Sequence, residues 1–185
     1  MELHDALATR RTVQRYTGEP VPDDALATAF AAAQWAPCHK LTWPWRFTVV
    51  GAEAREQLVQ VAIRLKAAKK GCPPEQMEGR VRSTLGSAGT LILVGQVLAE
   101  DAHRREEDYA ATACAVQNLM LSLHAQGYGS KWSTGGFSTA PETYALAGID
   151  AAAECIVGCV LAGPAAVELK APPRPEVTDH VRRIP

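Results

Sequence analysis

Two continuous apolar runs constrain the fold of this chain more than any other feature. One covers Thr90–Gly95 and the other covers Glu154–Gly163, and each is short and rich in aliphatic residues. A strand that lacks a polar face has to be covered on both sides. The two runs therefore predict buried strands in a central sheet that is flanked by helices.

The remaining segments supply those helices. Residues 108–126 are apolar nearly all round, as expected of a core helix. Further helices are predicted over residues 1–8, 21–35, 52–69 and, after a break at Gly71–Pro74, up to Leu85; a first strand is predicted over Trp45–Val50. Two helical segments separate this strand from the next, which favours a layered α/β sandwich of the α+β type over one-helix crossovers. We expect a single domain over residues 1–185.

Composition argues against several classes of partner. The formal net charge of −1 gives no long-range attraction to nucleic acid or to an anionic membrane. The N-terminal segment lacks the apolar centre of a signal peptide, and no apolar stretch is long enough for a membrane span. The five cysteines are an odd number without the spacing of a disulfide framework, so the expected compartment is the cytoplasm.

Two of the cysteines, Cys155 and Cys159, are four residues apart, which on a helix would suggest metal ligands. On a strand, alternate residues share a face. One face would then carry Cys155, Val157, Cys159 and Leu161, and the other Ile156, Gly158, Val160 and Ala162. Both faces are apolar, so we expect two core thiols and no metal site.

Basic residues gather in two places. Arg10, Arg11 and Thr12 follow the first predicted helix, and two guanidinium groups with a hydroxyl can hold a phosphate by charge-assisted hydrogen bonds. A solvated basic turn is the alternative. The stretch from Arg64 to Arg82 holds six basic residues and two glutamates. A solvated helical face is the simpler account of that stretch, and attraction of an anionic cofactor is the other.

Aromatic residues crowd the loop before the first strand. Trp35, Trp43 and Trp45 are three of the four tryptophans in the chain, and aromatic side chains in a loop suit a flat ligand or a protein interface. His39 lies between them. It can donate to a polar ligand, or it can be satisfied by the local backbone.

A second candidate segment is the Gly-rich stretch over residues 127–136, which is predicted to be a loop. Its four glycines would let the backbone approach a ligand closely, and Trp132, Ser133 and Thr134 add a ring and two hydroxyls. A tight connection after a long helix would also need glycines. The tail from Ala171 is rich in proline and is predicted to have no regular structure.

The chain offers no obvious side-chain machinery for hydrolysis. No set of Ser, His and Asp or of Cys and His has a suggestive spacing, and no carboxylates cluster. We therefore predict no catalytic side chain acting as a nucleophile. A bound redox cofactor would account for this, because it brings its own chemistry.

Taken in order, these segments resemble the nitroreductase family, especially its short bacterial members, from about residue 7 to about residue 163. The matching motifs are Arg10-Arg11-Thr12, Arg15-Tyr16, Ala36-Pro37, Pro44-Trp45-Arg46-Phe47, Gln117-Asn118, Gly127-Tyr128-Gly129 and Trp132. No single motif is decisive, but their order and spacing together are specific. The resemblance implies a nitroreductase-like sheet whose domain is completed by homodimerisation, and an FMN site that draws on both subunits.

The resemblance also implies roles for individual residues. Arg10, Arg11 and Thr12 match the residues that bind the FMN phosphate and ribityl chain. Trp132, Ser133, Thr134 and Gly135 match the segment that lies along the isoalloxazine ring, where a backbone N–H approaches N5. Trp35 and His39 match positions at which the partner subunit reaches the flavin.

Some residues depart from the family pattern. Trp43 directly precedes Pro44, where many relatives carry Asn or Gln in the loop, and position 35 is Trp, where short relatives can carry a basic residue. These changes bear on substrate choice more than on flavin binding. A basic residue of the tail often completes the phosphate site in the family. Arg174 is the best match here, with Arg182 and Arg183 as alternatives.

The activity that the resemblance implies is ping-pong hydride transfer from NAD(P)H, through FMN, to nitroaromatic, quinone or similar organic acceptors. A homodimer also fits the exposed tryptophans, because an uncovered aromatic loop is costly. Two alternatives keep the fold. One is a specialised reductive or flavin-degrading enzyme, and the other is a non-enzymatic flavin-binding scaffold.

Overall fold

A computed structural model describes residues 1–184 of the chain. The elements in chain order are α1 (Leu3–Thr9), α2 (Asp23–Ala33), β1 (Trp45–Val50), α3 (Ala52–Lys70), α4 (Glu75–Val81), β2 (Thr90–Val97), α5 (Ala102–Ala125), β3 (Gly129–Ser133), α6 (Pro141–Ala147) and β4 (Glu154–Gly163). Short 3₁₀ turns cover His39–Leu41 and Val177–His180, and a π turn over Arg82–Gly86 continues α4. No helix in the described range is both long enough and apolar enough to cross a membrane.

The four strands form one antiparallel sheet in the order β1-β2-β4-β3. The two apolar strands, β2 and β4, lie at its centre. Helices cover both faces, as these strands require. One cluster of buried side chains, between the sheet and α3, α4 and α6, includes Leu58 and Leu93; the other, between the sheet and α2 and α5, includes Ile92 and Leu119. The predicted sandwich of the α+β type is confirmed.

A β-bulge changes the predicted faces of β4. Val94 pairs with Gly158, but the next residue of β2, Gly95, pairs with Ile156, so Val157 is the extra residue. Ile156 therefore packs with Cys159 on the α3 side of the sheet, and the prediction that it lies on the opposite face is wrong. Cys155 precedes the bulge and is only half-buried, so Cys159 alone is a core thiol.

The Gly-rich stretch is not a loop throughout. Gly129–Ser133 forms β3, which pairs with the residues from Gly163 back to Cys159 of β4. The open edge of β4 provides hydrogen-bond partners that outweigh the weak strand preference of glycine. The long helix α5 also begins before its apolar stretch, because the Asp101 side chain caps it by accepting from the Arg104 N–H at 2.8 Å.

Candidate functional site

The two predicted binding segments lie side by side. The chain that leaves α1 runs along β3, where Thr12 forms a bridge with Ser130 and the Val13 N–H donates to the Ser130 carbonyl at 3.1 Å. Because Ser130 and Trp132 belong to the same strand, the structure brings Arg10–Thr12 and the segment from Trp132 to one edge of the sheet.

A basic cleft opens at this edge, beside the end of α1. Its volume is ≈ 310 Å³, and it is lined by Arg10, Arg11, Thr12, Leu169, Lys170, Pro172 and Arg174. No carboxylate lines it, and within residues 1–184 none of its cations forms an ion pair. Burial, followed by the charges of Arg11 and Arg174, lowers the pKa of Arg10. Of the three tail arginines, Arg174 alone lines the cleft.

Arg10 and Arg11 are placed differently within the cleft. The Arg11 guanidinium donates to the carbonyls of Ala8 and Arg10 at 2.6 Å each, so it caps the C-terminal end of α1. Its Nε is buried and has no hydrogen-bond partner. Arg10 makes no hydrogen bond of this kind and is the freer of the two to meet an anion.

His124, near the C-terminal end of α5, lies beside the end of α1. Its Nε2 lies 2.7 Å from Thr9 Oγ1. Burial lowers the pKa of His124, and the charges of Arg10 and Arg11 lower it further. A neutral imidazole therefore adds no positive charge to the cleft at neutral pH.

Trp132 lies against the backbone of β4. A Cβ built on Gly158 would come within 2.7 Å of both Trp132 Nε1 and the Ser133 carbonyl oxygen, so only glycine leaves room for this contact. The indole N–H is buried and has no partner, and the Ser130 hydroxyl is in the same state. Beyond β3, the Gly135 carbonyl accepts from the backbone N–H of Ser138 and fixes a turn.

Trp35 and His39 lie in or next to the aromatic loop before β1 and not at the basic cleft. His39 Nε2 is 3.9 Å from Glu107, near the start of α5, whereas Thr9 and its neighbours meet His124 near the end of that helix. The two positions are about 25 Å apart along α5. A single chain therefore does not bring His39 to the basic cleft.

The aromatic loop has an unusual backbone. Lys40, Leu41 and Trp43 have φ values of 58°, 54° and 41°, in the left-handed region that non-glycine residues seldom occupy. The Thr42 hydroxyl holds the loop to α5 by donating to Asp108 at 2.6 Å. Backbone strain that is fixed in this way is common at binding surfaces.

The exposure of the tryptophans separates them into two groups. Trp35 is 86% exposed and Trp43 49%, and both lie with Leu41 around the same loop. Trp45 is only 3% exposed and packs in the core between α5 and the sheet. The expectation that the three tryptophans lie in a loop and suit a flat ligand or a protein interface is therefore wrong for Trp45, because its strand position points it inward.

Three polar residues at this edge were not predicted. Lys170 lines the basic cleft, and Lys131 Nζ donates to Gln14 Oε1 at 2.8 Å. Gln14 and Lys131 come together because the segment after α1 runs along β3, and no local pattern indicates such a pairing. Within residues 1–184, no three His, Cys, Asp or Glu side chains are grouped so that they could hold a metal ion.

Comparison with known proteins identifies the class to which this fold and site belong. The profile of the nitroreductase family matches residues 7–163. YfhC of Bacillus subtilis, a candidate NAD(P)H nitroreductase, is 31% identical over 134 residues, which are 72% of this chain and 69% of YfhC. The chain belongs to the nitroreductase family and is an oxidoreductase, as the sequence resemblance predicted.

Solved structures agree with this assignment. A nitroreductase-like family protein from Bacillus cereus superposes with a TM-score of 0.84 at 26% identity, covering 100% of this chain and 96% of that one. A candidate nitroreductase from Desulfovibrio desulfuricans, solved in complex with FMN, superposes with a TM-score of 0.77 at 24% identity, covering 100% and 98%. The whole sheet-and-helix architecture is thus shared.

Proposed function

We propose that the chain passes hydride from NAD(P)H, through bound FMN, to nitroaromatic, quinone or similar organic acceptors by a ping-pong mechanism. The observation that carries this proposal is the cleft where Arg10, Lys170 and Arg174 gather without a carboxylate from residues 1–184. Membership of the nitroreductase family supports the FMN phosphate as the missing anion. We assign the activity to the cytoplasm, which suits a chain whose five cysteines are all free.

The cleft has the chemistry that a phosphate requires. Guanidinium groups bind phosphate by paired, charge-assisted hydrogen bonds, and the exposed hydroxyl of Thr12 lies beside them. Burial lowers the pKa of Arg10, and the charges of Arg11 and then of Arg174 lower it further, so like charges repel one another at this cleft in the free chain. A bound phosphate dianion would offset that repulsion, because it attracts each of the cations. We assign these residues, with Lys170, to the phosphate of FMN, and we give Arg11 the supporting role of holding the end of α1.

The edge of β3 fits the other end of the cofactor. Trp132 and Ser133 are half-buried and Thr134 is exposed there, and the strand continues into a turn whose Gly135 has no side chain. A flat ring system lying along this edge would cover those residues. We propose that Trp132, Ser133, Thr134 and Gly135 lie along the isoalloxazine ring.

When bound, FMN supplies the centre that accepts and donates hydride, so no side chain has to act as a nucleophile. The chain's own part is to bind and to orient. Arg10 and Arg174 anchor one end of the cofactor, and β3 sets the direction in which the rest lies. Backbone N–H groups after β3 are proposed to stabilise the negative charge that the ring gains on reduction.

We propose a homodimer in which each site uses both chains. Two observations support it: His39 is about 25 Å along α5 from the basic cleft of its own chain, and Trp35 and Trp43 are exposed on a strained loop. A symmetric partner would cover the loop and bring Trp35 and His39 to the opposite cleft. The resemblance to the family implies the same arrangement.

The experiment that tests the function is an anaerobic absorbance spectrum of the purified protein, before and after NADPH or NADH is added. We expect a flavin spectrum that bleaches with at least one of the two and returns when a quinone is added. A protein that binds no FMN, even when FMN is supplied, would contradict the proposal. Bound flavin that neither NADPH nor NADH bleaches would indicate a non-enzymatic flavin-binding scaffold. Bleaching without reoxidation by quinones or nitroaromatics would indicate a specialised substrate.

Arg10→Ala tests the phosphate site directly. A charge-assisted hydrogen bond contributes about 1.5–3 kcal/mol, so the Kd for FMN should rise about 10- to 100-fold, while the free energy of unfolding of the FMN-free protein hardly changes. Arg64→Ala is the control, because Arg64 pairs with Glu142 on an exposed helix face away from the cleft. Fluorescence titration with FMN measures both. Equal FMN affinity in Arg10→Ala and the parent would remove Arg10 from the site.

A further inference from the structure

A second group of cations lies on the α3 side of the sheet. Lys66, Lys69, Lys70, Met77 and Arg80 line a cleft of ≈ 200 Å³ between α3 and α4. Lys131 of β3 is close enough for its charge to affect Lys66. The cations come from three separate elements, so tertiary folding, and not the local sequence, brings them together.

These cations are not neutralised within the chain. Among residues 1–184, Lys66, Arg80 and Lys131 form no ion pair. Partial burial, followed by the charges of Arg80 and Lys131, lowers the pKa of Lys66. Like charges held together in this way cost free energy unless an anion is bound.

The neighbouring arginines show that the same helices can pair their charges. Arg82 lies 2.8 Å from Glu56 and 2.9 Å from Glu78, and Arg64 pairs with Glu142. Glu56, Glu78 and Glu142 thus pair with arginines outside the cleft, and only cations and Met77 line the cleft among residues 1–184.

Helix electrostatics explain only part of the cluster. Lys69 and Lys70 lie in the last turn of α3, where the helix dipole favours cations. The helix dipole does not explain the position of Lys66, which lies one turn earlier, or of Lys131, which is on a strand. A simple solvated helical face is therefore not sufficient.

The proximity of Lys131 to Lys66 links the cleft to the edge of β3, to which we assign the flavin. Lys131 immediately precedes Trp132, and its Nζ donates to Gln14 Oε1 at 2.8 Å, two residues beyond Thr12. An anionic group in the cleft would therefore be part of a molecule that extends towards the proposed ring. The basic cleft at Arg10 lies at the other end of the same segment, so one phosphate cannot serve both.

We propose that the cleft lined by Lys66, Lys69, Lys70 and Arg80, with Lys131 close by, binds an oxyanion group of a substrate that reacts at the flavin. This inference rests on the proposed function. The shared chemistry is a phosphate or carboxylate, which neighbouring cations recognise by charge-assisted hydrogen bonds. Its source is either the 2′-phosphate of NADPH or an anionic substituent of the acceptor.

Steady-state kinetics of the FMN-loaded dimer distinguish the two sources. The variant is Lys66→Gln combined with Arg80→Gln, and the matched control is Arg64→Gln, on the same helix but paired with Glu142. If the nucleotide is the source, the KM for NADPH should rise about tenfold or more in the double variant, with the KM for NADH and kcat little changed. If the acceptor is the source, the KM for a carboxylated quinone should rise by the same factor, and the KM for its neutral analogue should not.

Two measurements keep this test separate from that of the proposed function. FMN content should be equal in parent, control and double variant. Calorimetric titration of the FMN-loaded proteins with inorganic pyrophosphate, in which FMN occupies the basic cleft at Arg10, should show binding that is about tenfold weaker in the double variant only. Equal pyrophosphate affinity in parent and double variant, or unchanged NADPH/NADH and anionic/neutral preferences in an active enzyme, would overturn the inference. Loss of FMN from all three proteins would instead count against the proposed function.

Discussion

At the residue scale, neighbouring residues of the same type have different tasks. Arg11 uses two donors on the carbonyls of Ala8 and Arg10, whereas Arg10 faces Arg174 across the basic cleft. The sequence shows two adjacent arginines and cannot separate these tasks. The geometry of the end of α1 does, because only one of the two guanidinium groups lies over the last carbonyls of the helix.

Cys159 gives a prediction for alkaline pH. Burial raises the pKa of this thiol to about 12 from an ordinary value of 9.0. Because the unfolded chain releases the proton first, stability is fully present below about pH 9 and is lost as the pH rises towards 12. The thiol's share of this loss should approach about 1.4 kcal/mol per pH unit. Urea unfolding at a series of pH values measures it.

The control for this pH effect is the same titration in two alanine variants. Cys159→Ala should lose the thiol's share of the pH dependence, and its FMN content should be unchanged. Cys114→Ala, at an exposed position of α5, should keep the dependence of the parent. Rapid reaction of native Cys159 with a thiol reagent at neutral pH would contradict its burial.

At the scale of elements, the bulge in β4 decides what the end of the sheet presents. Val157 is the extra residue of the bulge, between the two pairing registers of β2 and β4. The next residue, Gly158, has a φ of 149° and lies under Trp132. Alternation of apolar residues predicts a regular strand here. A bulge adds one residue to one strand only, and nothing in a uniformly apolar run marks which residue that is.

Gly158→Ala should therefore act on two properties together. The backbone conformation disfavours a side chain by about 1–3 kcal/mol, and the new methyl group would collide with Trp132 Nε1 and the Ser133 carbonyl. We expect the free energy of unfolding to fall and the Kd for FMN to rise. Gly148→Ala is the matched control, because Gly148 also has a positive φ, of 65°, but has nothing within 4 Å of a built Cβ. It should lose stability and keep its FMN affinity.

Chemical denaturation and flavin titration of these two glycine variants give both quantities. If the two variants retain FMN equally well, Trp132 and Ser133 do not need their present positions for flavin binding.

At the scale of the whole molecule, the helix α5 separates the two halves of the predicted site. Near its C-terminal end, His124 contacts Thr9 at the end of α1, beside the basic cleft, and near its N-terminal end, Asp108 holds the aromatic loop. Under the proposed function, a complete site then requires a second chain. The exposed Trp35 and Trp43 provide an apolar surface for it.

Trp43→Glu should weaken association and FMN binding together. A buried, unpaired carboxylate in an interface is costly, and an obligate interface buries on the order of 2,000 Å² or more. Sedimentation velocity with flavin detection should show a monomer without FMN where the parent shows a dimer with FMN. Glu53→Gln, an exposed change in α3, is the control. A stable monomer that keeps stoichiometric FMN and quinone reductase activity would show that one chain builds the site, and His39 would then have only local contacts.

Most of the fold follows from local physical preferences. Apolar strands predict their own burial, capping residues and proline mark where helices begin and end, and the order of elements predicts a layered sandwich. These features depend on residues close together in the chain, so the sequence by itself determined them. The family resemblance of the motifs at Arg10 and Trp132 predicts a phosphate site and a ring site, and both stay predictions.

Tertiary structure decided whatever depends on pairing distant segments. The open edge of β4 made a strand of the Gly-rich stretch, and the bulge moved Ile156 to the other face. Folding placed Arg174, and not Arg182 or Arg183, beside Arg10, and it brought Arg80 and Lys131 near Lys66. The physical reason is the same in each case. Hydrogen bonds and charges act over a few ångströms in space, whatever the separation along the chain.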